Sequence, residues 1–154
     1  MLSQKARYAL RALFLLAEKP AGQPVMIAEL ARQGHIPRKF LEQILLDLKK
    51  RGMLHSVRGK HGGYTLGRSA DKISFAEVIR TIDGPLALSP CASVTAYRKC
   101  YDCVDEATCV LRKVLLAVRD ATAHILETRT LAEVLPEPSP APKRSRRPVT
   151  APAE

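Results

Sequence analysis

The chain of 154 residues is 46% hydrophobic, lacks Trp and carries a formal net charge of +10. This supports one ordinary domain, or a small one with an appendage, built on an aliphatic core. No apolar run approaches the roughly 20 residues of a membrane helix, so no membrane partner is expected. No signal-peptide pattern opens the chain, and a cytoplasmic location, where disulfides rarely persist, is expected.

The charge is uneven. Residues 1–68 hold 13 Lys/Arg against 4 Asp/Glu, whereas residues 69–135 hold 8 against 9. A basic half of that strength points to a polyanion, and first to nucleic acid.

In chain order, residues 3–19 read as a helix. Ala6, Ala9, Leu10, Leu13, Phe14, Leu16 and Ala17 form its apolar stripe. Pro20 and Pro24 end it. Residues 26–33 make a short second helix stopped by Gly34. Pro37 suits the first turn of a third helix. That helix runs to Lys50 or Arg51, with Phe40, Leu41, Ile44, Leu45 and Leu48 as its buried stripe and Gly52 as its cap. Residues 54–57 and 64–66 are strand-like, and the Gly-rich turn Arg58-Gly-Lys-His-Gly-Gly63 separates them. Three short helices and a basic hairpin make a winged helix-turn-helix, so the fold class is mainly α with a small β-hairpin.

Ser74 and Glu77 stand as a capping box. They open a helix to about residue 83, which Gly84 and Pro85 end. Residues 106–128 carry the longest helical pattern, with Leu111, Val118 and Ile125 seven apart. An apolar stripe of that length needs a partner surface, and a dimerisation helix is expected. Thr130 and Glu133 form a second capping box, opening a last short helix. The expected layout is a DNA-binding domain at 1–83, a cysteine-rich sensor loop at 84–109 and a dimerisation helix with its terminal short helix at 106–135. Residues 136–154, rich in Pro and basic at 143–147, are expected to be a disordered tail.

Two constellations carry chemistry. In the first, Arg38, Lys39, Glu42 and Gln43 point away from the buried stripe near the start of the third helix, where side chains meet base edges in the major groove. Arg58, flanked by glycines, suits a narrow minor groove, and Lys60 and His61 would lie near phosphates. The turn lacks the order of a nucleotide-binding P-loop. His35, His55, His61 and His124 are scattered, so nothing marks an enzyme.

The second constellation is the cysteines. Cys91, Cys100, Cys103 and Cys109 are the only ones, in the order C-x8-C-x2-C-x5-C. Confinement to one loop points to a shared soft metal centre. A zinc ribbon needs two C-x2-C knuckles, and one is present. Iron–sulfur clusters accept irregular spacing. Arg98 and Lys99 beside the knuckle favour thiolates. A cluster-free switch through a Cys100–Cys103 disulfide is the alternative, and a zinc-carrying protein-interaction module a remote one.

The segments Lys5-Ala-Arg-Tyr-Ala-Leu10, Phe40-Leu-Glu-Gln-Ile44, Ser56-Val-Arg-Gly59, Gly62-Gly-Tyr-Thr-Leu-Gly67, Val78-Ile-Arg-Thr-Ile-Asp-Gly84 and Thr130-Leu-Ala-Glu-Val134 resemble the Rrf-type family of bacterial winged-helix regulators. The likeness spans roughly residues 1–135. It implies a homodimeric repressor or activator of transcription on a palindromic double-stranded DNA operator, with a cysteine loop able to hold an iron–sulfur cluster; a repressor is the expectation here. By this resemblance Glu42 and Gln43 match recognition-helix positions, Arg58 the minor-groove wing arginine, and Cys91, Cys103 and Cys109 the three family ligands. Three departures stand out. The gap from Cys91 to Cys103 is longer than usual, and Arg112 occupies the place of a histidine ligand. The acid that another form of the family carries in its first helix is also missing, Arg7 and Tyr8 standing there. Cys100 is the expected fourth ligand of an all-cysteine site, 4Fe–4S in preference to 2Fe–2S.

Overall fold

The computed structural model describes residues 2–135, and the tail expected at 136–154 lies outside them. Among the described residues the order is α1 (Gln4–Ala17), α2 (Ile27–Gly34), α3 (Arg38–Lys50), β1 (Leu54–Val57), β2 (Gly63–Leu66), α4 (Phe75–Ile82) and α5 (Val110–Thr128). Short 3-10 turns lie at Ala70–Lys72, Pro90–Ala92 and Ala132–Val134. The mainly α fold with one hairpin is the one expected.

Ser3 caps α1, its Oγ accepting the Ala6 N–H at 3.0 Å. Alanines at 6, 9 and 12 are fully buried on α1, so neighbouring helices approach its backbone closely. α3 ends in a Schellman motif: Met53 N–H reaches Leu48 O at 3.1 Å and Gly52 N–H reaches Lys49 O at 2.9 Å. Gly52 supplies the positive φ of 71° that this geometry requires. The end of α2 differs from expectation. Gly34 stays inside the helix, buried against Ile36 and Leu15, and His35 takes the left-handed conformation.

The hairpin pairs Leu54 with Leu66 through Val57 with Gly63, antiparallel. Val25 adds a third short rung, exchanging two 2.9 Å backbone hydrogen bonds with Tyr64. The core lies between α1, α2, α3, α4 and this hairpin. Leu13, Leu30, Leu41, Ile44, Leu45, Leu48, Met53, Leu54, Ile73, Val78 and Leu131 are its fully enclosed large residues. Leu131 is notable because it lies beyond α5, which brings the chain back to the first unit.

Three further expectations change. Phe40 is not buried: at 57% exposure it stands at the edge of the α3 stripe, edge-on to Tyr8. α5 starts at Val110, not 106, because Asp105 takes the Ala107 N–H at 3.0 Å and the Thr108 hydroxyl at 2.8 Å, closing a local turn instead. The last helix is a 3-10 turn, because Thr130 bridges to Ser74 and Leu131 N–H bonds Ile73 O at 3.0 Å, which holds that segment extended.

Candidate nucleic-acid interface and cysteine pocket

Because Leu41, Ile44, Leu45 and Leu48 are fully buried, the opposite face of α3 must face solvent. Arg38, Lys39, Glu42 and Gln43 are all exposed there. Arg38 Nε donates to Glu42 Oε1 at 3.2 Å. Gln43 Nε2 donates to Asp47 Oδ1 at 2.9 Å, and Lys5 Nζ from α1 donates to Asp47 Oδ2 at 2.9 Å. The Lys5 bond is the largest influence on the Asp47 carboxyl and, with the Gln43 bond, outweighs partial burial to hold it below the usual carboxylate range. Phe40 joins the exposed face. Sequence reading missed it because one hydrophobe beside a hydrophobic stripe looks buried; its place one residue ahead of the 41, 44, 45, 48 series was the available signal.

Arg58, Lys60 and His61 are exposed on the five-residue loop between β1 and β2. Gly59, at φ 114°, turns the loop, and Gly62 N–H closes it on Gly59 O at 3.0 Å. Lys49 Nζ donates to Ser56 Oγ at 2.6 Å, fastening the wing to the end of α3. Both basic elements therefore belong to one packed unit.

The second site lies at the start of α5. A cavity of about 330 Å³ is lined by all four cysteines, with Ser89, Asp102, Asp105 and Arg112 among its other walls. Each element contributes for a local reason. Pro90 starts the 3-10 turn that buries Cys91. Cys100 and Cys103 lie on one turn, Cys103 N–H bonding Cys100 O at 3.2 Å. Cys109 is the N-cap of α5, its Sγ accepting the Arg112 N–H at 3.4 Å. Arg112 lines the cavity but is no metal ligand; its Nε donates to Cys91 O at 3.2 Å. Arg119 Nη1 does the same for Ala92 O at 2.7 Å. Two α5 arginines thus hold the Cys91 turn against the helix.

The thiols are not equivalent. Ser89 Oγ lies 3.4 Å from Cys91 Sγ and 3.7 Å from Cys100 Sγ, so one hydroxyl joins this pair. The Ser89 hydrogen bond, with help from Cys100 and Arg112, lowers the Cys91 thiol against the opposing effect of burial. Burial, then the neighbouring Cys109, raises the Cys103 thiol. All four are free. They are the right donors in kind and number for a soft metal centre. Among the described residues, however, no three His, Cys, Asp or Glu stand close enough to hold one ion.

α5 itself presents Val110, Leu111, Val114, Val118 and Ile125 to solvent, and none of its residues is buried within the single chain. Its other side packs on α4 and the Cys91 turn. No described helix is long and apolar enough to cross a membrane.

Comparison with known proteins agrees with this arrangement. A protein of Rhodobacter capsulatus named as an rrf2-like HTH-type transcriptional regulator is 42% identical over 93% of this chain and 97% of its own length. The solved structure of CymR, the global cysteine regulator of B. subtilis, superposes with a TM-score of 0.71 at 28% identity, over 88% of this chain and 95% of that one. IscR of T. potens superposes with a TM-score of 0.67 at 27% identity, over 88% and 85%. Residues 2–137 match the model of the Rrf2 family, described as iron-dependent transcriptional regulators. The chain is a member of the Rrf2 family of DNA-binding transcriptional regulators.

Proposed function

We propose that the protein is a homodimeric cytoplasmic repressor that binds a palindromic operator and senses iron–sulfur, redox or nitric oxide status through its cysteine pocket. Cys91, Cys100, Cys103 and Cys109 hold the cluster, all-cysteine and 4Fe–4S in preference to 2Fe–2S. The observation that carries this reading is the convergence of all four cysteines on one cavity at the N-cap of α5. The iron-dependent character of the family supports it.

DNA contact falls to α3 and the wing. Arg38, Lys39, Glu42 and Gln43 meet base edges in the major groove, Arg58 enters the minor groove, and Lys60 and His61 meet phosphates. The apolar face of α5 pairs with the same face of a second copy. That places two recognition helices for half-sites one helical turn apart. A cluster supplies a centre that oxidants and nitric oxide can dismantle. The chain's own residues carry the change outward: Arg112 and Arg119 tie the Cys91 turn to α5, and Leu131 ties the far end of α5 to the core of the DNA-binding unit. On this layout the DNA-binding domain occupies 1–83, the sensor loop 84–109 and the dimer helix with its return turn 106–135.

Anaerobic reconstitution of the full chain with iron and sulfide tests the cluster. Bound iron and sulfide with visible charge-transfer absorbance are expected, both lost in Cys103→Ser. A colourless, iron-free product, or an unchanged spectrum in Cys103→Ser, would overturn it. DNA affinity should fall steeply with salt, as phosphate contacts require.

One observation favours a second reading, a thiol–disulfide switch. The shared Ser89 hydroxyl points to Cys91 with Cys100 as the pair, in place of Cys100 with Cys103. Peroxide would take two electrons and two protons from these thiols, giving a disulfide and water. A reversible loss of two hydrogens in iron-free protein, mapped to Cys91 and Cys100, identifies this alternative.

A further inference from the structure

Asp47 stands one helical turn beyond Gln43 on α3, and neither the wing nor the cysteine pocket uses it. Its two oxygens are both engaged: Oδ1 accepts from Gln43 Nε2 at 2.9 Å and Oδ2 from Lys5 Nζ at 2.9 Å. Lys5 comes from α1, so the carboxylate is fixed from outside its own helix. The carboxylate is held ionised, since the Lys5 bond and the Gln43 bond keep its carboxyl low.

An ionised carboxylate can only accept hydrogen bonds. The Gln43 amide must therefore turn its nitrogen toward Asp47. The reversed amide would set Oε1 against a carboxylate oxygen. One of the two Nε2 hydrogens is used in this way. With the hydrogen trans to Oε1 given to Asp47, the cis hydrogen and Oε1 remain side by side on the exposed Gln43 side chain. A donor beside an acceptor in that order matches the major-groove edge of adenine, which offers N7 as acceptor and N6–H as donor. Guanine offers two acceptors, so Oε1 would meet O6. Lys5 has a second effect: it neutralises an acid that would otherwise repel phosphates near the DNA-facing helix. Glu42 is held differently. Its partner Arg38 lies on the same helix, and both side chains are more than half exposed at 65% and 54%, so that pair can open.

We propose that Asp47 is a positioning residue that orients the Gln43 amide and so makes α3 select adenine over guanine at one position of each half-site. This rests on the reading of α3 as the recognition helix. A merely structural Asp47 would, on removal, weaken binding to every sequence alike. An orienting Asp47 would on removal lower the ratio between two sequences.

The test is selection from a randomised duplex pool by the full chain, as purified and after reconstitution with iron and sulfide. Anisotropy titrations on duplexes differing by A or G at each selected position then give affinity ratios. The wild type is expected to prefer adenine by roughly tenfold at the Gln43 position, the scale of a good bidentate contact. Gln43→Ala abolishes that preference. Asp47→Ala lowers it about fivefold, while loss of the carboxylate paired with Lys5 tightens binding to all duplexes. Asp47→Asn has the same shape and accepts either amide orientation, so it also lowers the ratio. It keeps the test open should the alanine variant fold poorly. An adenine preference within twofold of wild type in both Asp47 variants, with Gln43→Ala still abolishing it, overturns the orienting role and leaves the recognition helix standing. A preference unchanged by Gln43→Ala overturns the assignment at its root. Absence of salt-dependent DNA binding in both forms of the chain overturns the DNA reading itself.

Discussion

Gly63→Ala isolates what the wing requires of its backbone. A Cβ added at Gly63 would lie 2.3 Å from Val25 O, 2.5 Å from Val25 C and 2.9 Å from Met26 N. All three are backbone atoms, so no side chain can swing aside. Restoring ordinary contact means moving the strands apart by about 1 Å, which stretches both 2.9 Å hydrogen bonds between Val25 and Tyr64 beyond useful range. Two net backbone hydrogen bonds are worth about 2 kcal/mol. The stiffer unfolded chain returns roughly 0.5 kcal/mol, leaving a loss of about 1.5 kcal/mol. For a domain of this size that corresponds to roughly 5 °C in Tm. Thermal unfolding followed by circular dichroism measures it. DNA affinity measured in parallel should also fall, because the displaced strand carries the loop of Arg58, Lys60 and His61. A Tm and an affinity both equal to wild type would show that the Val25 rung does not hold the wing, and the argument from close approach would fail.

Three other outcomes follow from the same structure. Leu131→Ala should cost about 3 kcal/mol, as for other fully buried leucines, read from the urea midpoint at constant m-value; a loss under about 1 kcal/mol would show that the return segment is not anchored. Val118→Glu, on the exposed face of α5, should leave the fold intact and convert the proposed dimer to monomer in sedimentation experiments, and a mass unchanged from wild type would overturn α5 as the dimer interface. The Asp47 pair should contribute stability above the unfolded carboxylate pKa of about 3.9 and lose it as pH falls through the lower folded value, so wild type and Asp47→Asn should converge in Tm under acid conditions and diverge at neutral pH.

Local chemistry explains which parts of the fold were legible in the sequence. The stripe Leu41, Ile44, Leu45, Leu48 and the Gly52 cap are set within one helix, and the structure reproduces them. The hairpin follows from two apolar runs and a turn that needs glycine at position 59. Expectations went astray where distant groups competed. Ser74 keeps its half of the capping box, accepting the Glu77 N–H at 3.2 Å, but the Glu77 carboxylate goes to Arg68 at 2.6 Å. Thr130 and Glu133 look like a helix start, yet burial of Leu131 draws that segment into a bridge with Ser74. Cysteine spacing pointed to a common site and, for a disulfide switch, to Cys100 with Cys103; it carried no sign of the contact between Cys91 and Cys100 through Ser89. Ser89, which joins Cys91 to Cys100, is a residue that no metal or redox motif singles out.

The state of the cysteine pocket bears on how a signal could leave it. A ligand shifts an equilibrium only by its differential affinity for the two states. Four sulfurs already set around a cluster would bind it without disturbing anything else, and α5 would register little. Here the four cysteines line one cavity from separate segments and no three converge on a single-ion position among the described residues; on the proposed reading these segments close on the cluster as it binds. Closing moves Cys109, which caps α5, and the Cys91 turn, whose carbonyls Arg112 and Arg119 hold. The reorganisation therefore falls on the first three turns of α5, beside the exposed residues Leu111, Val114 and Val118. Affinity given up to reorganise the loop is, on this reading, what couples the pocket to the spacing of two recognition helices.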